Sequence, residues 1–208
     1  MRCFKADLHI HTVLSPCGDL DMSPKKIVSK AREKQLDILG IVDHNTTRQC
    51  QVMEKAAAGQ DIFILCGAEV NTREEVHCLA FFETFETLGE FERLMDKHLP
   101  DVFNVPDKFG YQAVVDEQER ILDQPSKLLI SALDLSIQEV EQKVHQLGGI
   151  FIPAHVDRMR NGIIAQLGFI PPDLPCDAIE FSPHTNMEQA GALLGNLSDR
   201  HAVIQSSD

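Results

Sequence analysis

The chain has 208 residues, 43% of them hydrophobic, and a formal net charge of -13. That length supports one sizeable core, no stretch approaches the ~20 apolar residues of a membrane-spanning helix, and the acidic balance argues against an extended basic surface for nucleic acid. Six cysteines without a Cys-x-x-Cys pair, and opening residues without a signal pattern, point to reduced thiols in a cytoplasmic protein and away from a disulfide framework or a zinc ribbon.

The chain opens on a short strand running into Asp7-Leu8-His9-Ile10-His11-Thr12. Residues i and i+2 of a strand share a face, so His9 and His11 could reach one cation together; the plain alternative is a polar strand end facing water. A Pro/Gly/Asp loop over 13–22 follows, and Ser23-Pro24 reads as the N-cap and first position of a helix. A second strand over 36–44 ends in Asp43-His44. Asn45-Thr46-Thr47 opens a helix expected to run to about Gly59, and the apolar run 61–70 is a third strand delivering Glu69. A short turn through Arg73-Glu74-Glu75 leads to the fourth strand, 76–82, with His77 near its start.

From Glu83 to about Gln146 the pattern predicts helices over 88–99, 113–122 and 136–147, the last with a Ser-x-x-Glu capping box at Ser136 and Glu139. The fifth strand, 150–155, ends in His155. A loop with a short helical piece spans 157–175, the sixth strand spans 177–181, a helix is expected over 187–197, and a seventh strand, 201–208, ends on Asp208. Without repeats or low-complexity linkers, residues 1–208 read as a single domain. Seven strands alternating with helices imply parallel βα units with a site at the carboxyl ends of the strands.

Taken in order, Asp7-x-His9-x-His11, Asp43-His44, Gly67-Ala68-Glu69, His77, Ala154-His155 and Ser207-Asp208 resemble the polymerase and histidinol phosphatase (PHP) family of metal-dependent phosphoesterases. The resemblance implies a distorted seven-stranded (β/α) barrel holding two or three divalent ions, with zinc, manganese and iron(II) all compatible with the donors. It implies that His9, His11, Glu69 and Asp208 hold one ion and that a bridging Glu69 shares a second with His77 and His155. Asp19 and His44 would serve a third. The family's motif continues past the Asp208 position to a further histidine, so the chain is expected to be truncated there, with the third ion or Asp208 itself loosely held.

Within that picture Asp7 and Asp43 orient ligand imidazoles, with Asp43 the candidate for proton transfer, and Arg158, Arg160 and His184 are candidates for gripping a substrate phosphate. His77 could instead be a core histidine, Asp19 a turn residue, Arg158 a surface ion pair, and Glu180 could face the site or pair with an arginine. His98, His145 and His201 read as ordinary structural histidines. The function implied is hydrolysis of a small phosphomonoester or of a nucleotide or short oligonucleotide phosphoester. The competing readings are a non-catalytic, metal-stabilised module in a larger assembly and metal-dependent hydrolysis of an amide.

Overall fold

The computed structural model describes residues 3–194 and 201–208. Strands β1 (Ala6–Ile10), β2 (Ile38–Ile41), β3 (Phe63–Asn71), β4 (His77–Phe82) and β7 (Ile150–Pro153) form one curled sheet in the order β1-β2-β3-β4-β7. A separate pair, β8 (Ala178–Phe181) and β9 (Ala202–Gln205), is parallel, and a small hairpin joins β5 (Val114–Val115) to β6 (Ile121–Asp123). Helices α1 (Pro24–Lys34), α2 (Cys50–Ala57), α3 (Phe85–His98), α4 (Pro106–Phe109), α5 (Ile137–Gln146), α6 (Ile163–Leu167) and α7 (Met187–Leu194) complete the fold.

The expected continuous seven-stranded barrel is replaced by a five-stranded half-barrel and a two-stranded sheet. Single hydrogen bonds span the gaps: Asp177 N–H to Phe151 O (2.9 Å) and Val156 N–H to Glu180 O (2.9 Å) on one side, Asp208 N–H to His9 O (3.2 Å) on the other. An inner apolar cluster nevertheless draws on all seven strands or their immediate exits, through Leu8, Val42, Leu65, Leu79 with Phe81, Ile152, Ala178 and Ile204. A larger cluster lies between the sheet and the helices, where Leu39, Ile41, Phe91, Met95, Val140, Val144 and Phe151 are fully buried. Leu8 joins the inner cluster and Ile10 the outer one, which strict alternation forbids; the β1–β2 ladder is irregular between Asp7 and Ile10. Where β1 and β2 press together only glycine fits, since a Cβ at Gly40 would lie 2.4 Å from Leu8 O.

Not every connection is a parallel βα unit. β3 and β4 pair antiparallel across a turn closed by Thr72 N–H to Val76 O (3.0 Å), so Asn71 stands opposite His77. β4 is also antiparallel to β7. An antiparallel strand brings its first residue to the rim where its neighbours end, which is how His77 joins Glu69 and His155.

The helix expected over 113–122 is the β5–β6 hairpin, and α2 starts at Cys50, five residues after Asn45. Asn45, Thr46 and Thr47 are occupied by tertiary bonds instead. Glu92 of α3 accepts from Thr46 Oγ1 (3.0 Å), Thr47 N–H (2.5 Å) and Thr47 Oγ1 (3.0 Å). α5 starts as expected, with the Ser136–Glu139 capping box formed. Ser23 occupies the N-cap of α1, but its hydroxyl bonds Glu119 and not the helix. Residues 195–197 of the last expected helix lie outside the described residues.

Candidate metal centre

Glu69, on β3, lies 1% exposed at the centre of five imidazoles. Its Oε1 lies 2.8 Å from His77 Nδ1, 3.0 Å from His155 Nε2 and 3.3 Å from His9 Nε2; its Oε2 lies 3.0 Å from His44 Nδ1 and 3.2 Å from His11 Nε2. Burial alone would raise this carboxyl's pKa. The imidazoles of His77, His9 and His44 outweigh it and hold Glu69 well below the ordinary carboxylate range.

His9 and His11 come from the end and exit of β1, His44 from the exit of β2, and His155 from the exit of β7, where its φ of 27° turns the backbone into the left-handed region. Asp208 closes the ring. Its Oδ1 lies 3.6 Å from both His9 Nε2 and His11 Nε2, and its carboxylate pairs with Arg158 Nη1 at 2.5 Å. Burial pushes the Asp208 carboxyl up, but His11, His9 and Arg158 bring it down well below the usual range. Burial likewise depresses the imidazoles, yet carboxylate neighbours raise His9 to about 9 and His11 to about 10 in the metal-free protein. His44, crowded by the other rings, stays well below the usual histidine value, burial being the main cause.

The ring nitrogens facing away from Glu69 are steered by two groups. His9 Nδ1 donates to Glu180 Oε2 at 2.8 Å, and the same oxygen accepts His155 N–H at 3.1 Å. Ser15 Oγ spends its single hydrogen on Asp43 Oδ1 (2.7 Å), so His11 Nδ1, 3.0 Å away, must be the donor in that contact. In the neutral ring both arrangements keep the hydrogen on Nδ1 and leave Nε2 the free electron pair, the form a metal ligand needs.

Glu180 performs the task expected of Asp7. The Asp7 carboxylate accepts Ser207 N–H (3.0 Å) and His9 N–H (3.5 Å), tying residue 207 to β1, and has no hydrogen bond to an imidazole among the described residues. Asp43, 2% exposed, accepts from Thr12 N–H, Thr12 Oγ1 and Ser15 Oγ, each at 2.7 Å. Through these three bonds it shapes the loop after β1.

The loop after β1 brings a further correction. Asp19 is exposed and accepts Asp21 N–H at 2.9 Å, away from the cluster. Cys17 stands in its place: donor atoms of Cys17, His11 and His44 all lie within 4.8 Å of one another. Two more such groups are His9 with His11 and Asp208, and His44 with Glu69 and His77. Cys17 is exposed at the surface, yet partial desolvation at the mouth of the cluster, then the nearby Glu69, Asp43 and Asp208 carboxylates, push its thiol up to about 12. Arg158 sits half-exposed at the rim. Arg160 and His184 are exposed in the turns after β7 and β8, without a contact to the cluster among the described residues. Sequence reasoning missed Cys17 and left Glu180 open; for Cys17 the available signal was a thiol six residues beyond His11 in a Pro/Gly loop.

A cluster of histidines on a carboxylate at one rim of an α/β half-barrel defines a class, and the comparison with family models agrees. The PHP domain model matches residues 7–151, well over half of the chain, and the chain belongs to that family. An uncharacterized protein, MJ1587, of Methanocaldococcus jannaschii is 33% identical over 78 residues, covering 34% of this chain and 46% of its own. Among solved structures, the lesion-specific endonuclease EndoQ from Pyrococcus furiosus superposes with a TM-score of 0.70 at 17% identity, covering 99% of this chain and 48% of that one. A chain from Bifidobacterium adolescentis ascribed to the metal-dependent phosphoesterases gives 0.64 at 22% identity, covering 100% and 88%. An amidohydrolase from Chromobacterium violaceum gives 0.64 at 18%, covering 98% and 87%. The chain therefore spans about half the length of MJ1587 and of EndoQ, and it shares its fold with the three solved structures.

Proposed function

We propose that the protein is a metal-dependent hydrolase of phosphoester bonds, with its centre at the Glu69 cluster. One observation carries this reading. His9 Nε2, His44 Nδ1, His77 Nε2 and His155 Nδ1 are all shut off from solvent without a well-directed hydrogen bond; the first two face Glu69 at 3.3 and 3.0 Å, and the last two lie opposite the ring nitrogens that face it. Burying one polar atom unpaired costs on the order of 1–3 kcal/mol, a cost that ligation of cations by these rings would relieve.

His9, His11 and Asp208 would hold one cation; Glu69, having two oxygens, would bridge to a second held with His77 and His155, and His44 would serve a third. Zinc, manganese or iron(II) held there supplies Lewis acidity toward a phosphoryl oxygen. Around them, Glu180 and Ser15 fix His9 and His11 with Nε2 inward, and Asp43 holds the Thr12–Ser15 segment in place. Arg158, whose guanidinium reaches the rim beside Asp208, is the residue best placed to fork a substrate phosphate. Arg160 and His184 stand farther out and would touch only a larger substrate.

The fold shared with EndoQ, a lesion-specific endonuclease, favours a nucleotide or short oligonucleotide phosphoester, and the net charge of -13 disfavours broad contact with long polymers. An aryl phosphomonoester, an aryl phosphodiester and an aryl amide offered with manganese or zinc test the assignment. Turnover of a phosphoester, reduced about a hundredfold or more in His9→Ala and Glu69→Ala, is the expected result. Inert metal-loaded protein would favour the non-catalytic module, and cleavage of the amide alone would favour amidohydrolysis.

A further inference from the structure

The loop after β1 does more than connect. At Gly18 the chain passes so close to its own start that a Cβ there would lie 2.3 Å from Thr12 O, and Gly18 N–H bonds Ser15 O at 2.8 Å. This return swings Asp19 outward and hangs Cys17 over the mouth of the cluster, beside His11 and His44. His44 is only 3% exposed; its Nδ1 faces Glu69 Oε2 at 3.0 Å without a well-directed hydrogen bond. A thiol grouped with the two imidazoles of His11 and His44 is a softer donor set than the carboxylate-bearing groups around Glu69 and Asp208.

We propose that Cys17 is a metal ligand: its thiolate, with His44, holds one cation of the cluster and makes that position select zinc over manganese. His11 completes this group or the one with His9 and Asp208, since its Nε2 serves one cation at a time. On binding, the thiol proton leaves to solvent and a sulfur electron pair forms the new bond, with no change of oxidation state. Thiolate favours zinc, whereas manganese prefers oxygen donors. The inference rests on the reading of the cluster as a metal centre and adds to it a donor and a selectivity.

The test is titration of the metal-free protein with cobalt(II), followed in the near ultraviolet, together with elemental analysis after zinc loading. The wild type is expected to develop a thiolate-to-cobalt charge-transfer band. Cys17→Ser should lose the band and bind zinc at one position roughly tenfold to a hundredfold more weakly, while Asp19→Asn keeps both. Cys17→Asp should bind without the band and shift selectivity toward manganese. Cobalt filling the wild type without a thiolate band, or Cys17→Ser binding as much zinc as tightly, overturns the role of Cys17 and leaves the metal centre standing. Failure of cobalt and zinc to bind at all overturns both.

Discussion

Glu180 shows how one carboxylate far along the chain sets the chemistry of two histidines. Its Oε2 accepts from His9 Nδ1 and from the backbone N–H of His155, so removing its charge loosens one ring and one turn at once. Glu180→Gln is expected to weaken cation binding about tenfold to a hundredfold, with an unchanged far-ultraviolet circular dichroism spectrum; competition against a chromogenic chelator measures it. Unaltered affinity would mean that His9 needs no such partner. In the sequence Glu180 sits between Ile179 and Phe181, and local pattern cannot say whether such a glutamate faces a site or a surface ion pair. Only the position of β8 beside β7 decides it. The histidines were legible because each stands in or beside an apolar run: His11, His44 and His155 just past a strand, His9 near the end of one and His77 at the start of one.

At the scale of elements, α5 is the best specified from sequence. Ser136 Oγ accepts Glu139 N–H at 3.3 Å while Glu139 reaches back to Ser136 N–H at 2.8 Å. Ser136→Ala should cost about 1 kcal/mol, or about 2–4 °C in Tm for a chain of this size, read by thermal denaturation. The other end of α5 carries a pH-dependent clasp: His145 Nδ1 bonds Glu141 Oε1 (2.6 Å) and its Nε2 bonds Asp177 Oδ2 (3.0 Å), just ahead of β8. Burial pulls the His145 pKa down, but the bonds to Asp177 and Glu141 outweigh it and leave it above 6.5. A raised folded-state pKa stabilises fully below the unfolded value and loses its effect as pH rises through the folded one. The Tm advantage of wild type over His145→Gln should therefore be largest below pH 6.5 and shrink above it; an advantage that grows with pH would refute the clasp.

The segment between α3 and α5 resisted reading because it is held by amides whose partners are distant. Asn45 Nδ2 donates to Leu129 O and Ser131 O, Gln49 brackets Val115 through both its N–H and C=O, and Gln112 ties Pro125, Lys127 and Leu129 together. Such contacts leave no periodic trace. The antiparallel β4 was more accessible: the connection from Asn71 to His77 is too short to hold a crossover, and that alone signals a hairpin.

For the whole molecule, the cost of gathering five imidazoles and the Glu69 carboxylate at one rim should make stability depend on bound metal. Ligands that bind only the folded state stabilise it by mass action, about 2.7 kcal/mol at a free concentration a hundredfold above Kd. Zinc at that level should raise Tm by roughly 5–10 °C over the chelator-treated protein, and calorimetry with and without chelator measures it. Coinciding transitions would remove the case for a metal centre. Two gaps separate the strands of the half-barrel from those of the β8–β9 pair only at the level of ladders; the inner apolar cluster is shared, so loss of a cation held by Asp208 and Glu69 should be felt on both sides.

The sequence by itself determined the seven main strands, the histidines of the cluster, Glu69 and the family, because apolar runs and the polar residues beside them are local properties. Tertiary structure alone decided that residues 114–123 form a hairpin, that Glu180 orients His9 in place of Asp7, and that Cys17 faces the cluster while Asp19 faces water. The physical reason is common to all three: a side chain's direction at a strand end or in a loop is fixed by what packs against it. For these residues the partners lie from a few to more than a hundred positions away.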